Sequence, residues 1–583
     1  MVFHGNLKTP LYAAFFCAAL VACKATETPR QAGPGQCPER TVSIAVIQGD
    51  GRESTMSGQQ VTVRGIVTLI VEGQGLYVEE PDSDTDPHTS NAIFIQSIQL
   101  PEGIEPGSLA SAQGKVTESG DERDPLTALT GPVELVLCSS GNTLPVTDVT
   151  LPLDQPSREA LEGMRIRISD TLVVTDVYSY GQGKFTLSAN GFQYVPTELM
   201  KPGPATADLL ARNRAAALPV LLPESIGSPA MLAGGASVGT SVDPVVGVLA
   251  HDGRGKRLTL QSTPGFSEPA IATPGNATAG ALRVVGMNLQ NYFNGDGKGQ
   301  DFPTPRGAET FDEFQQQRAR IGAAIGVLDP HVLAVMEIEN DGFGPESAAQ
   351  DFIRLANQAS QHNWAVTRPV NDNTGNDQIA VGIFYRTDRL KAIGPSQTLA
   401  GPEFERSRQP QAQLFQQLPD GETLLVVVNH LKSKGSCPES GIDANQGDGQ
   451  GCWNAMRQKS AAKMSAWAQE VAVSMGTDNI LILGDLNAYR NEDPITAIRD
   501  AGFTELMERD QRANYSFVYR GQRGSLDYAF ASGALLENIE QAYIWHINAA
   551  FPAKMELPQP WLRFSDHDPV VVELSLRQSR TSD

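Results

Sequence analysis

A series of long apolar runs in the C-terminal half, LRVVGMNL, HVLAVMEI, QIAVGIFY, LLVVVNHL, NILILGDL and PVVVELSL, constrains this chain more than any other feature. None alternates polar with apolar residues, so each is predicted to be a strand buried on both faces. Strands of that kind need helices to cover them. Phe311, Phe314, Ile321, Ile325 and Leu328 recur at helical spacing and are followed by the stop Asp329-Pro330, which predicts a helix over 311–328. A second helix is expected over 457–475. The domain expected over 281–577 is a helix-covered β-sandwich.

These strands run repeatedly into a polar residue at or near their C-terminal end: Asn288, Glu337, Asn429-His430, Asp485 and Asn487. A single polar strand end is ordinarily a cap or a satisfied buried group. Several on one edge of a sandwich would instead gather carboxylate, amide and imidazole groups in one cleft, as metal-assisted hydrolysis requires. Ser525-Leu526-Asp527-Tyr528 and Ser565-Asp566-His567-Asp568-Pro569 would complete such a site. Glu337 and Asp566 are the carboxylates suited to a hard divalent cation, Mg2+ or Mn2+, with Asn288 as a neutral ligand or the orienter of a bound water. His567 is a candidate base held in its tautomer by Asp527.

In this order, Asn288, Glu337, Asn429-His430, Gly484-Asp485-Leu486-Asn487, Ser525-Leu526-Asp527-Tyr528 and Ser565-Asp566-His567 resemble the endonuclease/exonuclease/phosphatase superfamily. The wording MEIEND at 336–341, NHLKSKGS at 429–436 and GQGCWNAMR at 449–457 is similar to bacterial ExeM/NucH-type extracellular nucleases. The resemblance implies an α/β (α+β) four-layer sandwich, two mostly antiparallel sheets flanked by helices. It implies a metal-dependent hydrolase of phosphoric ester bonds acting on DNA, possibly RNA. It also implies that Asp485 positions or activates the water, that Asn487 donates to the phosphorane, and that His430 protonates the leaving oxygen or binds phosphate. His567 and Asp485 both stay open as the base.

Further candidates come from single positions. Arg408, Lys432 and Lys434 suit phosphate contact, as would a solvated surface. Relatives commonly read Arg-Pro-Pro where this chain has Arg408-Gln409-Pro410. Tyr385 matches a tyrosine of the family and is equally well read as a buried strand end. In the Gly-rich insertion, Asp443, Asn445 and Asp448 suggest Ca2+, although the closing Glu of an EF-hand loop is missing and a disulfide-pinned turn fits better.

The 583 residues suggest several domains of roughly 100 to 200 residues each. Segments such as VTVRGIVTLI, GLYVEE and AIFIQS predict a small all-β domain over 41–145, and MRIRISDTLVVTDVYS, GKFTLSANGFQYV and DPVVGVLAHDGRGKRLTLQS a second over 146–262. A long Ala/Pro/Gly-rich insertion interrupts the latter. The first resembles the OB-fold-like module that precedes the nuclease domain in the extracellular nucleases, so one or two OB-like domains are expected. Its few interleaved aromatic and basic residues suit a spacer at least as well as an oligonucleotide site. Residues 263–280 read as a linker.

At the N-terminus, the apolar run LYAAFFCAALVA is too short to anchor in a bilayer and reads as a secretory signal. Leu20-Val21-Ala22-Cys23 resembles a bacterial lipobox, which implies lipidation of Cys23, a tether over 24–40 and, with Lys24 following, an outer-membrane lipoprotein facing the periplasm or the cell surface. With Cys17 in the signal and Cys23 acylated, the 6 cysteines leave Cys37, Cys138, Cys437 and Cys452. Pairing within domains predicts Cys37–Cys138 and Cys437–Cys452, in keeping with an oxidising compartment. The formal net charge of -22 argues against tight, non-specific polyanion binding. It leans toward the alternative reading, a phosphatase or phosphodiesterase for small phosphate esters or phospholipid head groups.

Overall fold

The computed structural model describes residues 37–576 apart from 83, 85, 122, 123, 190, 228–235, 269, 270, 272, 276–278, 420, 508–513 and 554. The expected signal, the lipobox with Cys23 and most of the tether lie outside the described residues.

The apolar runs form the inner strands of two stacked sheets. The first has the order Trp364–Val366, Ile379–Arg386, Val332–Glu339, Leu282–Tyr292, Val570–Leu574, Ile539–Ile544. The second has the order Leu390–Thr398, Gln411–Gln417, Thr423–His430, Ile480–Asp485, Asp527–Ala531, Thr504–Glu505. Successive side chains of a strand point to opposite faces, and both faces are apolar here. Val284, Ala334 and Met336 meet Val426, Val428, Leu481 and Leu483 between the sheets. On the outer face of the first sheet, Val285, Met287, Leu333 and Val335 pack against Phe314, Ile321, Ile325, Phe352 and Leu355 of the helices Phe311–Leu328 and Ala348–Ser360. On the outer face of the second, Leu425, Val427, Ile480 and Ile482 pack against Ala461, Met464, Ala468 and Ile495 of Asn454–Met475 and Asp493–Asp500. The result is the four-layer sandwich. Helix Phe311–Leu328 has the expected bounds, starting where Thr310 Oγ1 accepts from Glu313 N at 3.2 Å and stopping at Asp329 in the left-handed region.

In each sheet one central pair is parallel and its outer neighbour antiparallel. Leu282–Tyr292 runs parallel to Val332–Glu339, and Val570–Leu574 antiparallel with Val570 opposite Gly286. Thr423–His430 runs parallel to Ile480–Asp485, and Asp527–Ala531 antiparallel with Asp527 opposite Asp485. The ends of the parallel strands and the starts of the antiparallel ones therefore share one edge.

Residues 60–139 form a closed five-stranded barrel with strands in sequence order 1-2-3-5-4. The next unit differs from a second small barrel: it is an eight-stranded sheet built from 147–260. Within it the Ala/Pro/Gly-rich insertion holds a helix, Ala205–Ala216, whose alanines have high helix propensity once Pro204 has started the turn. Barrel and sheet meet at a buried ion cluster. Lys256 Nζ lies 2.7, 2.9 and 3.1 Å from Asp124, Glu159 and Glu162, and Glu79 Oε2 accepts from Arg165 N at 2.8 Å. Both expected disulfides are present, with Cα separations of 5.6 Å for Cys37–Cys138 and 5.5 Å for Cys437–Cys452.

Candidate active site

The shared edge brings Asn288, Glu337, His430, Asp485, Asn487, Asp527, Asp566 and His567 together. Asn288 Nδ2 donates to Glu337 Oε1 at 3.2 Å and to Asp485 Oδ2 at 3.3 Å, bridging the two sheets. Glu337 sits in a bulge between Met336 and Ile338 with φ of 63°, which turns its side chain out of the strand alternation. Its other oxygen accepts from Asn291 N at 3.0 Å. Left-handed backbone at a non-glycine residue is uncommon, and Gln290, Asn291 and Asn487 share it around this site.

The two imidazoles stand on either side of Asp485. His430 Nε2 lies 3.4 Å from Asp485 Oδ2, and His567 Nε2 lies 4.0 Å from the same oxygen. His567 Nδ1 is 2.7 Å from Asp527 Oδ2, and the Phe517 ring packs on the imidazole with centroids 4.7 Å apart. Their charge states diverge. Burial, then the positive charges of Arg408 and His567, hold His430 well below the usual imidazole range. Burial also opposes a charge on His567, but the carboxylates of Asp527 and Asp485 outweigh it and hold that imidazole well above the usual range. Burial pushes the Asp485 carboxyl up to about 7 against the opposing charge of His567. Asp485 Oδ1 accepts from Asn487 N at 2.9 Å, and Asn487 Nδ2 donates to Leu431 O at 3.1 Å.

Glu337 and Asp566 are hard oxygen donors whose charges face each other. Burial, then Asp566, raises the Glu337 pKa, an excess of negative charge that a divalent cation would relieve. Asn288 places an amide beside them. This set fits a hard divalent cation. Asp485, Asp527 and His567 also present possible ligand atoms within 4.8 Å of one another. Of these, His567 Nδ1 and Asp527 Oδ2 bond each other at 2.7 Å, and Asp527 Oδ1 is buried with no hydrogen-bond partner.

Arg408 is at the site. Its backbone N donates to His430 O at 3.2 Å, its Nη1 to Leu431 O at 3.4 Å, and its charge reaches Glu337 and Asp485. Lys432 stands at the rim over the Trp453 ring, donating to Ser433 O at 2.9 Å, with its ammonium lowered to about 8 by burial and Arg408. Lys434 is turned away, bound to Gln450 O at 2.6 Å and to Glu492. Tyr385 must be reassigned. It pairs with Val332 at the start of the strand that ends near Glu337, so it lies at the opposite edge of the sheet and packs on Phe415. The suggested Ca2+ loop does not converge either. Asp443 Oδ1 accepts from Met456 N in the first turn of the helix Asn454–Met475, while Asn445 Oδ1 accepts from Gly447 N and Asp448 Oδ1 from Gln450 N, each of these two serving its own turn. Sequence reasoning missed Phe517 and Asn291, which carry no pattern of their own: one lies on a three-residue strand and the other contributes only a backbone N–H.

Among solved structures, the human Nocturnin catalytic domain with bound sulfate is 16% identical over 52% of this chain and 97% of its own, with a TM-score of 0.34. TDP2 from D. rerio complexed with single strand DNA product is 14% identical over 50% and 98%, with a TM-score of 0.33. A mannosyl-6-phosphatase from Bacteroides thetaiotaomicron is 16% identical over 50% and 99%, also with a TM-score of 0.33. No curated protein matches the chain. Residues 292–567 match the model of the Endonuclease/Exonuclease/phosphatase family, running from the strand that carries Asn288 to His567 itself. By its sandwich, its strand-edge site and this match, the C-terminal domain belongs to the endonuclease/exonuclease/phosphatase family of phosphoester hydrolases.

Proposed function

We propose that the chain is an exported, divalent-metal-dependent nuclease that hydrolyses phosphodiester bonds of DNA with little sequence preference. The observation that carries the chemistry is Asp485, whose Oδ2 lies 3.4 Å from His430 Nε2 and 4.0 Å from His567 Nε2. With its pKa near 7, Asp485 is poised to accept the proton of an attacking water. His567, kept charged by Asp527, donates from Nε2 to a phosphate oxygen as negative charge grows there. His430 presents Nε2 3.4 Å from Asp485 and 3.8 Å from Glu337, and in line with the family resemblance it gives a proton to the leaving oxygen as the P–O bond breaks, or binds phosphate. Arg408 faces the incoming phosphate. Glu337 and Asp566 would hold a divalent cation, which would supply neutralisation of the phosphate charge.

DNA as substrate is supported by the resemblance to extracellular nucleases and by the 1-2-3-5-4 barrel upstream. Export is supported by the apolar leader and by two disulfides, and a lipid anchor at Cys23 by the lipobox wording. Protein lacking residues 1–23 is expected to degrade duplex DNA with Mg2+ or Mn2+ and to stop with EDTA. A panel of duplex DNA, single-stranded DNA, RNA and p-nitrophenyl phosphate tests this. The net charge of -22 favours a second reading, hydrolysis of small phosphate esters. Release of phosphate from small esters with no cleavage of any nucleic acid would establish that one instead.

A further inference from the structure

The eight-stranded unit does more than precede the catalytic domain. Its strand Gln193–Tyr194 adds in parallel to Gln522–Gly524 of that domain, with Gln193 opposite Gln522 and Tyr194 opposite Arg523. Val195 N continues the pairing to Arg523 O at 2.9 Å. The chain then makes the single turn Pro196–Leu199 and inserts Glu198, 1% exposed, between two catalytic-domain segments. Glu198 Oε1 accepts from Arg490 Nε at 3.0 Å. Its Oε2 accepts from Ser525 N at 3.0 Å and from Arg490 N at 3.4 Å.

These segments carry site residues. Arg490 closes the irregular loop that leaves Asp485 and holds Asn487, and Ser525 stands two residues before Asp527, which opens its strand. A loop of this kind has no ladder to satisfy its amides, and a buried unpaired N–H costs about 1–3 kcal/mol. Glu198 supplies the acceptor for both segments at once. The segments are also pressed together, since a Cβ on Gly524 would fall 2.5 Å from the Tyr489 ring. Further bonds fix the turn around Glu198. Asn491 Nδ2 donates to Glu198 O at 2.9 Å, Asn491 N to Thr197 O at 3.0 Å, and Thr197 Oγ1 to Glu492 Oε1 at 2.8 Å. Arg490 is held from its other side by Glu505.

We propose that Glu198 is a positioning residue of the active site: from the N-terminal β-unit it clamps the Asn487 loop to the start of the Asp527 strand. The catalytic reading of those two residues is the one given above, on which this inference rests. The unit that carries Glu198 is thereby part of the hydrolytic apparatus.

The test uses the chain from residue 24 onward with Glu198→Ala, the near-isosteric Glu198→Gln, and Asn213→Ala as a control. Asn213 bonds Tyr194 O and Gln522 Oε1 across the same interface and touches neither clamped segment. Hydrogen exchange is followed over 485–490, 523–528 and, for reference, 424–430, and kcat and KM are measured on the best substrate. In Glu198→Ala both clamped segments are expected to exchange at least about tenfold faster, with 424–430 unchanged. The kcat is expected to fall about 10²-fold, the scale of a 1 Å misplacement, with KM within twofold. Glu198→Gln, which keeps one acceptor oxygen, should show a smaller change of the same kind and serves if the alanine variant does not fold. Unchanged exchange in both variants overturns the proposal, as does an equal loss in Asn213→Ala. If exchange rises as expected and the parent protein cleaves no phosphoester, the clamp stands and the catalytic reading fails.

Discussion

Asp527 and His567 form the shortest contact between titratable side chains at the site, 2.7 Å from Oδ2 to Nδ1, inside a wall closed by Phe517. The carboxylate keeps the imidazole charged and fixes which nitrogen faces Asp485. Asp527→Asn retains the shape and removes the charge. Activity is expected to fall by about 10²- to 10³-fold, the usual worth of one preorganised donor to the developing charge. Because Asp527 raises the His567 pKa, its loss lowers that pKa, and the alkaline limb of the pH–rate profile should move to lower pH. An unmoved limb would detach His567 from that limb.

Metal binding is expected to stabilise the protein as well as activate it. At a hundredfold excess over Kd a ligand specific for the folded state adds about 2.7 kcal/mol. Mg2+ or Mn2+ should therefore raise the Tm of the intact domain, and EDTA should reverse the rise. Glu337→Gln removes one of the two facing carboxylates and should abolish most of this upshift while leaving the metal-free Tm unchanged or higher. Calorimetry with and without metal decides it.

Arg408 and Tyr385 separate a site residue from a bystander. Arg408→Ala should raise KM for a phosphodiester by about tenfold or more, since a charge-assisted hydrogen bond to phosphate is worth about 1.5–3 kcal/mol. Tyr385→Phe, at the far edge of the sheet, should leave kcat and KM within twofold. Steady-state kinetics on one substrate suffices, and a large loss in Tyr385→Phe would contradict its placement.

Glu79, buried where the barrel meets the eight-stranded sheet, gives a pH effect remote from catalysis. Burial pushes its carboxyl from 4.5 up to about 7, despite the hydrogen bond from Arg165 N. A raised folded-state pKa means that its contribution to stability is fully present below about 4.5 and is lost as pH rises through about 7. The shift corresponds to a few kcal/mol at most, at about 1.4 kcal/mol per pKa unit. Glu79→Gln should therefore gain stability over the parent at pH 8 and match it near pH 4.5, as read by chemical denaturation at the two pH values.

The sandwich and most of the site were legible because buried strands and strand-end polar residues are local patterns. The runs through Asn288, Glu337, His430 and Asp485 each show both in under ten residues, and the 311–328 helix follows from its 3.6-residue spacing. What was not legible depends on pairing register. Tyr385 ends its strand as the site residues end theirs, but that strand runs antiparallel, which sends it to the other edge. Asp443, Asn445 and Asp448 have the composition of a cation loop, and only the fold shows Asn445 and Asp448 spent on neighbouring amides and Asp443 on a helix start 13 residues on. Glu198 lies in a four-residue turn with no periodicity, and its partners stand 292 and 327 positions away.

The site straddles the seam of the sandwich: Asn288 and Glu337 come from one sheet and His567 from the segment leading into its strand Val570–Leu574, and His430, Asp485 and Asp527 from the other. The gap across which the reacting groups face each other is therefore gauged by the thickness of the apolar filling beneath them. Gly286 shows how little slack that filling has, since a Cβ there would stand 3.3 Å from Leu483 Cδ2. A methyl group added at Gly286, far from any phosphate, would act as a shim between the layers, so the calibration of the chemistry is written partly in the volumes of residues that never meet the substrate.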